Sequence, residues 1–167
     1  MRASPRLEQA NIDDAAAIAV LRNAAADRLT KDYGEGYWSA LTSEKSVLYA
    51  MRLSRVFVMR QRWRIVATLR LATKKPWAID TSYFTTAKRP IYLTDMAVDP
   101  RMQRQGIGRR CLIAAADIVR AWPGDAIRLD AYDAEAGAGA FYQKCGYCEV
   151  GRVTYRGTPL VYYELLV

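Results

Sequence analysis

The sequence predicts a mixed α+β fold in which helices flank one sheet. Two apolar segments, 55–60 and 64–72, are rich in strand-forming residues and are separated by a short turn, as in a hairpin. A further strand at 91–98 is followed by an amphipathic helix at 106–122 and by another strand at 127–132. Strands and helices that alternate in this way are typical of a mixed α/β domain.

The remaining elements complete this order. Asn11 or Asp13 can cap the first helix, because either side chain accepts hydrogen bonds from first-turn amides. Gly146 can end the last helix, because a glycine adopts the left-handed conformation found at many helix ends. The other predicted ranges are strand 6–10, a first helix to about Leu29, helix 39–51, loop 73–89, helix 134–144, and strands 148–153 and 160–166.

Length and composition indicate a single globular domain over residues 1–167. Hydrophobic residues make up 51% of the chain and charged residues 25%, which is ordinary for a soluble protein. No apolar run approaches the ~18 residues of a membrane span. Asp13, Asp14 and Arg22 interrupt the apolar stretch near the N-terminus, so we expect no signal peptide. These features predict a cytoplasmic protein that does not bind membranes.

The absence of histidine restricts the chemistry of the chain. It excludes catalytic triads that use histidine, and histidine metal ligands. Cys145 and Cys148 form a C-x-x-C pattern, but only one further cysteine, Cys111, is present, so no second pair can complete a tetrahedral metal site. We therefore expect free thiols and no metal, and a redox pair is the weaker alternative.

The chain is basic, with a formal net charge of +8. Residues 51–75 contain eight basic side chains and no acidic one, a pattern that can attract nucleic acid, a membrane surface or a phosphorylated cofactor. The alternative is that most of these side chains face solvent on strands and a turn. No helix-turn-helix, RRM or zinc pattern occurs, so we do not expect a nucleic-acid partner.

The segment 94–110, T-D-M-A-V-D-P-R-M-Q-R-Q-G-I-G-R-R, predicts an anion site. It reads as a strand, a sharp turn, and a loop whose glycines Gly106 and Gly108 open into a helix. Free amides and the positive end of the helix dipole attract anions at such a junction, and glycine lets the backbone approach them closely. Nearby arginines, at 101, 104, 109 and 110, add positive charge.

Two motifs in this sequence resemble those of the GNAT superfamily of acetyl-CoA-dependent N-acetyltransferases. The first is Q-x-x-G-x-G at Gln103, Gly106 and Gly108, preceded by A-V-D-P; the second is A-G-A-F-Y-Q-K-C-G-Y at 138–147. The order of predicted elements matches this superfamily over nearly the whole chain. The resemblance implies a central mixed sheet of six or seven strands flanked by about four helices.

The resemblance also implies how acetyl-CoA would bind as the acetyl-donor cosubstrate. The backbone of Met96, Ala97 and Val98 would pair with the pantetheine arm like an added strand. The backbone amides that follow would hold the pyrophosphate; these belong to Gln103, Arg104, Gln105, Gly106, Ile107, Gly108 and Arg109. One departure is that Glu135, with Asp133 nearby, replaces the asparagine that often helps to fix the pantetheine in this superfamily.

Tyr142 matches the general acid of the superfamily. A phenol can return a proton to the departing thiolate, because its reference pKa of about 10 is close to the value of about 8.5 for a thiol. The alternative is a core aromatic residue near the end of a helix. Gly137 and Gly139 are unfavourable inside the predicted helix 134–144, which indicates a ligand close by.

The acceptor amine must lose a proton, and without histidine a carboxylate is the expected base. Asp95 is the first candidate, because its side chain should share a face of the strand with Leu93 and Ala97; a structural role is an equal alternative. Asp130 is the second candidate and Glu35 the third. Aromatic residues are predicted to form the acceptor pocket with Glu35, namely Tyr33, Tyr37, Trp38, Tyr83 and Phe84.

The sequence thus predicts an enzyme that transfers an acetyl group to a primary amine of a small molecule or peptide. The alternatives are acetylation of protein N-termini or lysines, and a non-catalytic module that binds CoA or nucleic acid. A longer acyl group, the identity of the amine and the oligomeric state, including a homodimer, all stay open. Few acidic clusters occur, which disfavours strongly cationic acceptors such as polyamines.

Overall fold

A computed structural model describes residues 5–167 and confirms the predicted fold class. Within these residues a seven-stranded mixed sheet has the strand order β1-β2-β3-β4-β5-β7-β6. The strands are β1 (Leu7–Gln9), β2 (Arg55–Gln61), β3 (Arg64–Ala72), β4 (Pro90–Val98), β5 (Ala126–Tyr132), β6 (Cys148–Tyr155) and β7 (Thr158–Leu166). The α-helices of this part of the chain are α1 (Ala15–Tyr33), α2 (Glu44–Leu53), α3 (Ile107–Ala121) and α4 (Gly139–Lys144).

The chain forms two compact units. Among the described residues, the first unit contains 5–71 together with Asp95–Ala115. Its core joins apolar residues of α1 and α2 to apolar residues of β2 and β3, and the half-buried Ala97 packs against them. This is the packing expected when an amphipathic helix covers one face of a sheet. The core residues include Ala15, Ile18, Leu21, Val47, Ala50, Val56, Val58 and Ile65.

The second unit contains Ala72–Thr94 and Ala116–Val167. In one of its cores Ile79, Phe84, Tyr92 and Tyr162 pack together. An ion pair beside them is almost fully buried: Nε of Arg128 lies 2.9 Å from Oε2 of Glu164. Such a pair is tolerated because the two charges satisfy each other.

The register of the sheet shows where two parallel strands separate. β4 pairs with β5 only over Pro90–Tyr92, opposite Ala126–Arg128, although β4 continues to Val98. From Leu129 onwards β5 continues its ladder with β7, which is antiparallel. The parallel ladder therefore ends at Tyr92, the third of the nine residues of β4.

Asp95 interrupts the regular pleat of β4. Its φ of 55° lies in the left-handed region, which few non-glycine residues adopt and which aspartate tolerates better than most. The irregularity is local, because Asp95 remains within β4. Asp95 lines a small cavity beside Ile18 and Val47, and Ala97 packs against the core that contains these two residues, so Asp95 and Ala97 face the same core as predicted.

Three helix boundaries differ from the prediction. α1 continues to Tyr33 rather than ending near Leu29, and α2 starts only at Glu44, where the side chain of Ser43 accepts a hydrogen bond from the Ser46 amide at 3.1 Å. α4 starts at Gly139, and the residues before it form a turn closed by the Gly137 amide and the Ala134 carbonyl at 2.8 Å. The placement of Gly137 inside a helix was therefore wrong.

The same two glycines are explained by close packing of the chain itself. A Cβ at Gly137 would lie 1.9 Å from the Tyr132 carbonyl oxygen, and a Cβ at Gly139 would lie 2.3 Å from the Tyr163 hydroxyl. Both distances are too short for any side chain. These glycines therefore give no independent indication of a ligand.

Candidate active site

The segment that joins β4 to α3 is organised around a buried carboxylate. Asp99 is only 6% exposed, and it accepts hydrogen bonds from the Arg101 amide at 3.0 Å and from Nη2 of Arg101 at 2.8 Å. The Asp99 amide donates to the Val66 carbonyl at 2.8 Å, which ties the turn to β3. We call residues 99–110, which include the first turn of α3, the glycine loop. Asp99 was not predicted as a functional residue, although the A-V-D-P pattern contained it.

The end of the glycine loop leaves backbone amides open to a ligand. Gly106 has a φ of +77°, and a Cβ built there would meet no atom within 4 Å. The hydrogen-bond ladder of α3 starts with the Arg110 amide, which donates to the Gly106 carbonyl at 3.1 Å. The earlier amides of the first turn, those of Ile107, Gly108 and Arg109, are the groups that helix geometry leaves without an intrahelical partner.

The charges around the glycine loop favour an anion. Gln103, Arg104, Gln105 and Gly106 are all exposed. In the described part of the chain Arg104, Arg109 and Arg110 lie within ion-pair distance of no carboxylate. Unpaired guanidinium groups and the N-terminus of a 15-residue helix act in the same direction. The arrangement fits a phosphate or pyrophosphate group.

Asp95 is held by two arginines of the first unit. Its Oδ1 lies 3.0 Å from Nη2 of Arg22, and its Oδ2 lies 3.5 Å from Nη1 of Arg70. The three side chains line a cavity of about 10 Å³, which has room for about one water molecule and not for a substrate. Both oxygens of Asp95 therefore have cationic partners, which favours the structural interpretation of this residue.

Tyr142 lies in a cluster of aromatic rings in the second unit. It is 7% exposed, and its ring centroid lies 5.7 Å from that of Tyr147 and 6.0 Å from that of Tyr163. Burial raises the pKa of the Tyr142 phenol, and the charges of Asp130 and Cys145 raise it further. The phenol therefore stays protonated at neutral pH, as a general acid must be. We call Tyr142, Tyr147 and Tyr163 the tyrosine cluster.

Tyr147 differs from Tyr142 in one respect. Its hydroxyl is buried and has no hydrogen-bond partner among residues 5–167. Burial also raises the pKa of Tyr147, followed by the charges of Tyr142 and Cys145. A buried hydroxyl without a partner costs about 1–3 kcal/mol, so this residue is a weak point in the packing.

The basic segment 51–75 is partly neutralised by distant carboxylates. Arg60 pairs with Asp14 at 2.8 Å and with Glu8 at 2.5 Å, and Arg64 lies 3.4 Å from Asp99. Arg70 likewise pairs with Asp95, so several of the eight basic residues are engaged within the first unit. This segment is therefore a weaker polyanion surface than its sequence indicates.

The predicted acceptor residues fall into two groups. Tyr33, Glu35, Tyr37 and Trp38 belong to the first unit, and there the indole nitrogen of Trp38 donates to the Gly34 carbonyl at 3.0 Å. In the second unit, Phe84 is buried against Tyr162, with ring centroids 5.2 Å apart. Phe84 is therefore a core residue, and its predicted place in the acceptor pocket stays a prediction.

Cys111, Cys145 and Cys148 form no disulfide in the described part of the chain. Cys111 is buried, and this burial raises its pKa to about 12, while Cys148 is exposed. Asp133, near the position of the missing asparagine, pairs with Arg152 at 3.0 Å. The described residues include no cluster of side chains that could hold a metal ion. Over the same residues, no helix combines the length and the apolar character needed to cross a membrane.

Comparison with known proteins places the chain in a family. The model of the acetyltransferase (GNAT) family matches residues 21–147, and the chain belongs to this family. No protein of curated function matches the sequence. The resemblance stated from the two motifs is thus confirmed.

Solved structures show the same fold at low sequence identity. An N-acetyltransferase from Staphylococcus aureus Mu50 is 18% identical with a TM-score of 0.73, over 98% of this chain and 99% of that one. The ribosomal-protein-S18-alanine N-acetyltransferase from Escherichia coli is 19% identical with a TM-score of 0.72, over 98% of this chain and 94% of that one. A Salmonella typhimurium protein described as an acetyltransferase was solved with its cofactor acetyl-CoA. It is 15% identical with a TM-score of 0.69, over 97% of this chain and 93% of that one.

Proposed function

We propose that this protein is an acetyl-CoA-dependent N-acetyltransferase that acts, as one domain over residues 1–167, on a primary amine of a small molecule or peptide. The observation that supports this most is the glycine loop. It combines open space at Gly106, first-turn amides of α3 and three unpaired arginines in a chain of the GNAT family. Acetyl-CoA supplies the acetyl group and the thiolate that leaves.

The donor contacts in this proposal are made by backbone atoms. The backbone of Met96, Ala97 and Val98 would pair with the pantetheine arm, and the amides of residues 103–109 would hold the pyrophosphate. The half-buried state of residues 96–98 and the early end of the β4–β5 ladder support this assignment. The exposed loop and its arginines suit the several negative charges of CoA.

Tyr142 is proposed as the general acid that protonates the departing thiolate. Its protonated state at neutral pH and its place in the F-Y-Q-K-C-G-Y motif support this role. A raised pKa makes the phenol a weaker acid but keeps it loaded with its proton at the pH of the reaction. Proton transfer by a positioned side chain typically contributes 10²–10⁴-fold to a rate.

For the base, the structure changes the order of the candidates. Asp95 stays a candidate, but both of its carboxylate oxygens already have arginine partners, which leaves them less accessible to an acceptor amine. We therefore place Asp130 first. Its charge acts on Tyr142, and it lies opposite Tyr162 in the β5–β7 register, so it belongs to the surroundings of the proposed acid. Glu35 stays third.

One alternative function differs in its acceptor, which is a protein, and the other is a binding module without catalytic activity. Acetylation of a ribosomal-protein alanine is named for the Escherichia coli neighbour, but 19% identity supports only a shared fold. The ion pairs of Arg60, Arg64 and Arg70 argue against a nucleic-acid surface on β2 and β3.

An acceptor screen tests the proposal. Purified protein and acetyl-CoA are incubated with amino acids, N-terminal peptides, lysine peptides and aminoglycosides while thiol release is followed, and the products are identified by mass. We expect amine-dependent thiol release and a product 42 Da heavier on nitrogen, the mass that acetylation adds to any amine. Binding of acetyl-CoA without release for any amine would instead support a non-catalytic CoA module.

A further inference from the structure

An open cleft lies within the second unit, between the loop after β3 and the β6–β7 hairpin. Its volume is about 580 Å³, within the range of roughly 300–1,000 Å³ that is typical of small-molecule sites. Lys75, Trp77, Asp80 and Tyr83 line it from the loop, and Tyr155 and Tyr162 line it from the hairpin. We call it the aromatic cleft.

The floor of the aromatic cleft is fixed by packing and hydrogen bonds. Tyr162 is 1% exposed; its hydroxyl donates to the Ala78 carbonyl and accepts a hydrogen bond from the Asp80 amide at 3.1 Å. The Tyr83 ring packs edge-on against Tyr162 at 5.5 Å and leaves no room for a Cβ at Gly151. The loop is therefore held in place before any ligand binds, which reduces the entropic cost of binding.

The mouth of the aromatic cleft exposes large rings to solvent. Trp77 is 82% exposed and Tyr83 is 43% exposed. Exposed rings beside a concave site offer a ligand a large apolar contact area at little conformational cost. The complementary part of a ligand is a flat or apolar group.

Two opposite charges at the aromatic cleft have unused hydrogen-bonding capacity. Oδ1 of Asp80 accepts from the Ser82 amide at 3.0 Å and the Ser82 hydroxyl at 2.7 Å, whereas Oδ2 accepts from no residue in the described chain. Nζ of Lys75 donates to the Ile79 carbonyl at 3.0 Å, which uses one of its three N–H groups. The hydrogen bonds from Ser82 and the charge of Lys75 hold the pKa of Asp80 below its usual value, so the carboxylate is ionised.

These charges select the class of ligand. A ligand with only an ammonium group would be attracted by Asp80 and repelled by Lys75, and a simple anion would meet the reverse situation. A zwitterion satisfies both groups. We propose that the aromatic cleft binds a free aromatic α-amino acid, with its ammonium on Asp80, its carboxylate on Lys75 and its ring against Trp77 and Tyr155.

This inference rests on the proposed function, in which the α-amino group of this ligand is the acetyl acceptor. The nitrogen forms a bond to the acetyl carbon while the bond from that carbon to sulfur breaks. The ammonium loses two protons in all: one is released to solvent and the other replaces the proton that Tyr142 gives to the thiolate. The products are an N-acetyl amino acid and free CoA.

Binding of four probes to the wild-type protein tests the choice of ligand class without acetyl-CoA. The probes are L-phenylalanine, 2-phenylethylamine without the carboxylate, 3-phenylpropionate without the ammonium, and L-alanine without the ring. We expect calorimetry to show L-phenylalanine binding roughly tenfold or more tightly than each of the others. No saturable binding of L-phenylalanine, or equal affinity for 2-phenylethylamine or 3-phenylpropionate, would overturn the proposal.

Variants locate the site. Asp80→Asn should weaken L-phenylalanine binding by about tenfold and spare 3-phenylpropionate, and Lys75→Met should do the same while sparing 2-phenylethylamine. Trp77→Ala should weaken every aromatic probe. The matched control is Trp63→Ala, because Trp63 is also 82% exposed but belongs to the first unit. Equal losses for Trp63→Ala and Trp77→Ala would contradict the assignment.

An activity assay separates failure of this inference from failure of the proposed function. Acetylation of L-phenylalanine with a KM raised by Asp80→Asn supports both proposals. Acetylation of other amines only, with an unchanged KM in Asp80→Asn and Trp77→Ala, overturns the cleft assignment and leaves the enzyme assignment intact. Absence of acetyl-CoA binding overturns the proposed function, while the calorimetric comparison of the four probes still decides what the cleft binds.

Discussion

The glycine loop and the tyrosine cluster are built by opposite means. The loop presents backbone amides, and its side chains serve mainly to shape the turn, as Asp99 does with Arg101. The cluster presents a side chain, Tyr142, whose protonation depends on burial and on neighbouring groups. A function carried by the backbone is visible in glycine spacing and helix starts. A function carried by a side chain depends on the tertiary environment, which a sequence motif does not describe. The role of Tyr142 is therefore tested by substitution.

The largest effect should come from the hydroxyl of Tyr142. Tyr142→Phe removes the proposed proton donor and keeps the ring contacts with Tyr147 and Tyr163. We expect kcat to fall by about 10²–10⁴-fold, with acetyl-CoA affinity changed less than about twofold. Steady-state kinetics on an identified acceptor, together with calorimetry, measures both quantities.

Tyr147→Phe is the matched control for this experiment, because it removes a different buried hydroxyl of the tyrosine cluster. It should leave kcat near the wild-type value. Equal losses of turnover in both variants would show that the cluster supports activity through packing, and Tyr142 would lose its assigned role.

A second comparison sets Asp130 against Asp95. If Asp130 accepts the amine proton, Asp130→Asn should lower kcat/KM at neutral pH by about 10²-fold, and raising the pH should partly restore it by supplying neutral amine. Asp95→Asn should instead leave the pH profile unchanged. It should lower the free energy of unfolding by about 1–3 kcal/mol, because Arg22 and Arg70 lose a shared partner.

The result of this comparison is decided by two measurements, the pH profile of kcat/KM and urea unfolding. A flattened profile for Asp95→Asn with normal stability would reverse the assignment and return Asp95 to the role first predicted for it. The nearly isosteric substitutions keep the comparison independent of changes in shape.

The unpartnered hydroxyl of Tyr147 predicts an effect on stability. Tyr147→Phe should raise the free energy of unfolding by about 1 kcal/mol, because it removes a buried polar group that none of residues 5–167 satisfies. Urea unfolding of the two proteins at pH 7 measures the difference. A loss of stability would mean that the hydroxyl has a favourable interaction in solution.

Alkaline pH should lower the free energy of unfolding, because burial raises the pKa values of three groups in the folded state. Burial raises the pKa of the Cys111 thiol from 9.0 to about 12, and it also raises the pKa values of Tyr142 and Tyr147. The folded state favours the protonated groups, so their stabilisation is complete below the unfolded pKa values and is lost as pH rises above about 9. Each group contributes up to about 1.4 kcal/mol per pH unit.

The matched variant is again Tyr147→Phe. Unfolding curves at pH 8, 10 and 11 should show a smaller loss of stability for this variant than for the wild type above pH 10, because one titrating group is gone. Parallel losses in the two proteins would contradict the assigned effect of burial on Tyr147.

Most of the fold could be predicted from the sequence, because hydrophobic periodicity determines which segments are strands and helices. The segment 134–138 was misassigned as helix, since the close approach of Gly137 to the Tyr132 carbonyl is a tertiary feature. In the candidate site, too, features set by neighbouring residues in the chain were predicted and tertiary contacts were not. Gln103, Gly106 and Gly108 are adjacent in the chain and were recognised together. The hydrogen bond between Asp95 and Arg22 joins residues 73 positions apart, and no local pattern indicates it.

The central claim, that the backbone of the glycine loop holds the donor, is tested most directly by acetyl-CoA calorimetry on two glycine variants. Gly106 and Gly157 have φ values of +77° and +82°, and a Cβ at either would meet no atom within 4 Å. Alanine at each site therefore introduces similar backbone strain, and only Gly106→Ala places a methyl group in the proposed phosphate site. We predict that Gly106→Ala weakens acetyl-CoA binding more than about tenfold, while Gly157→Ala leaves it unchanged. Unchanged acetyl-CoA affinity in folded Gly106→Ala would contradict the account.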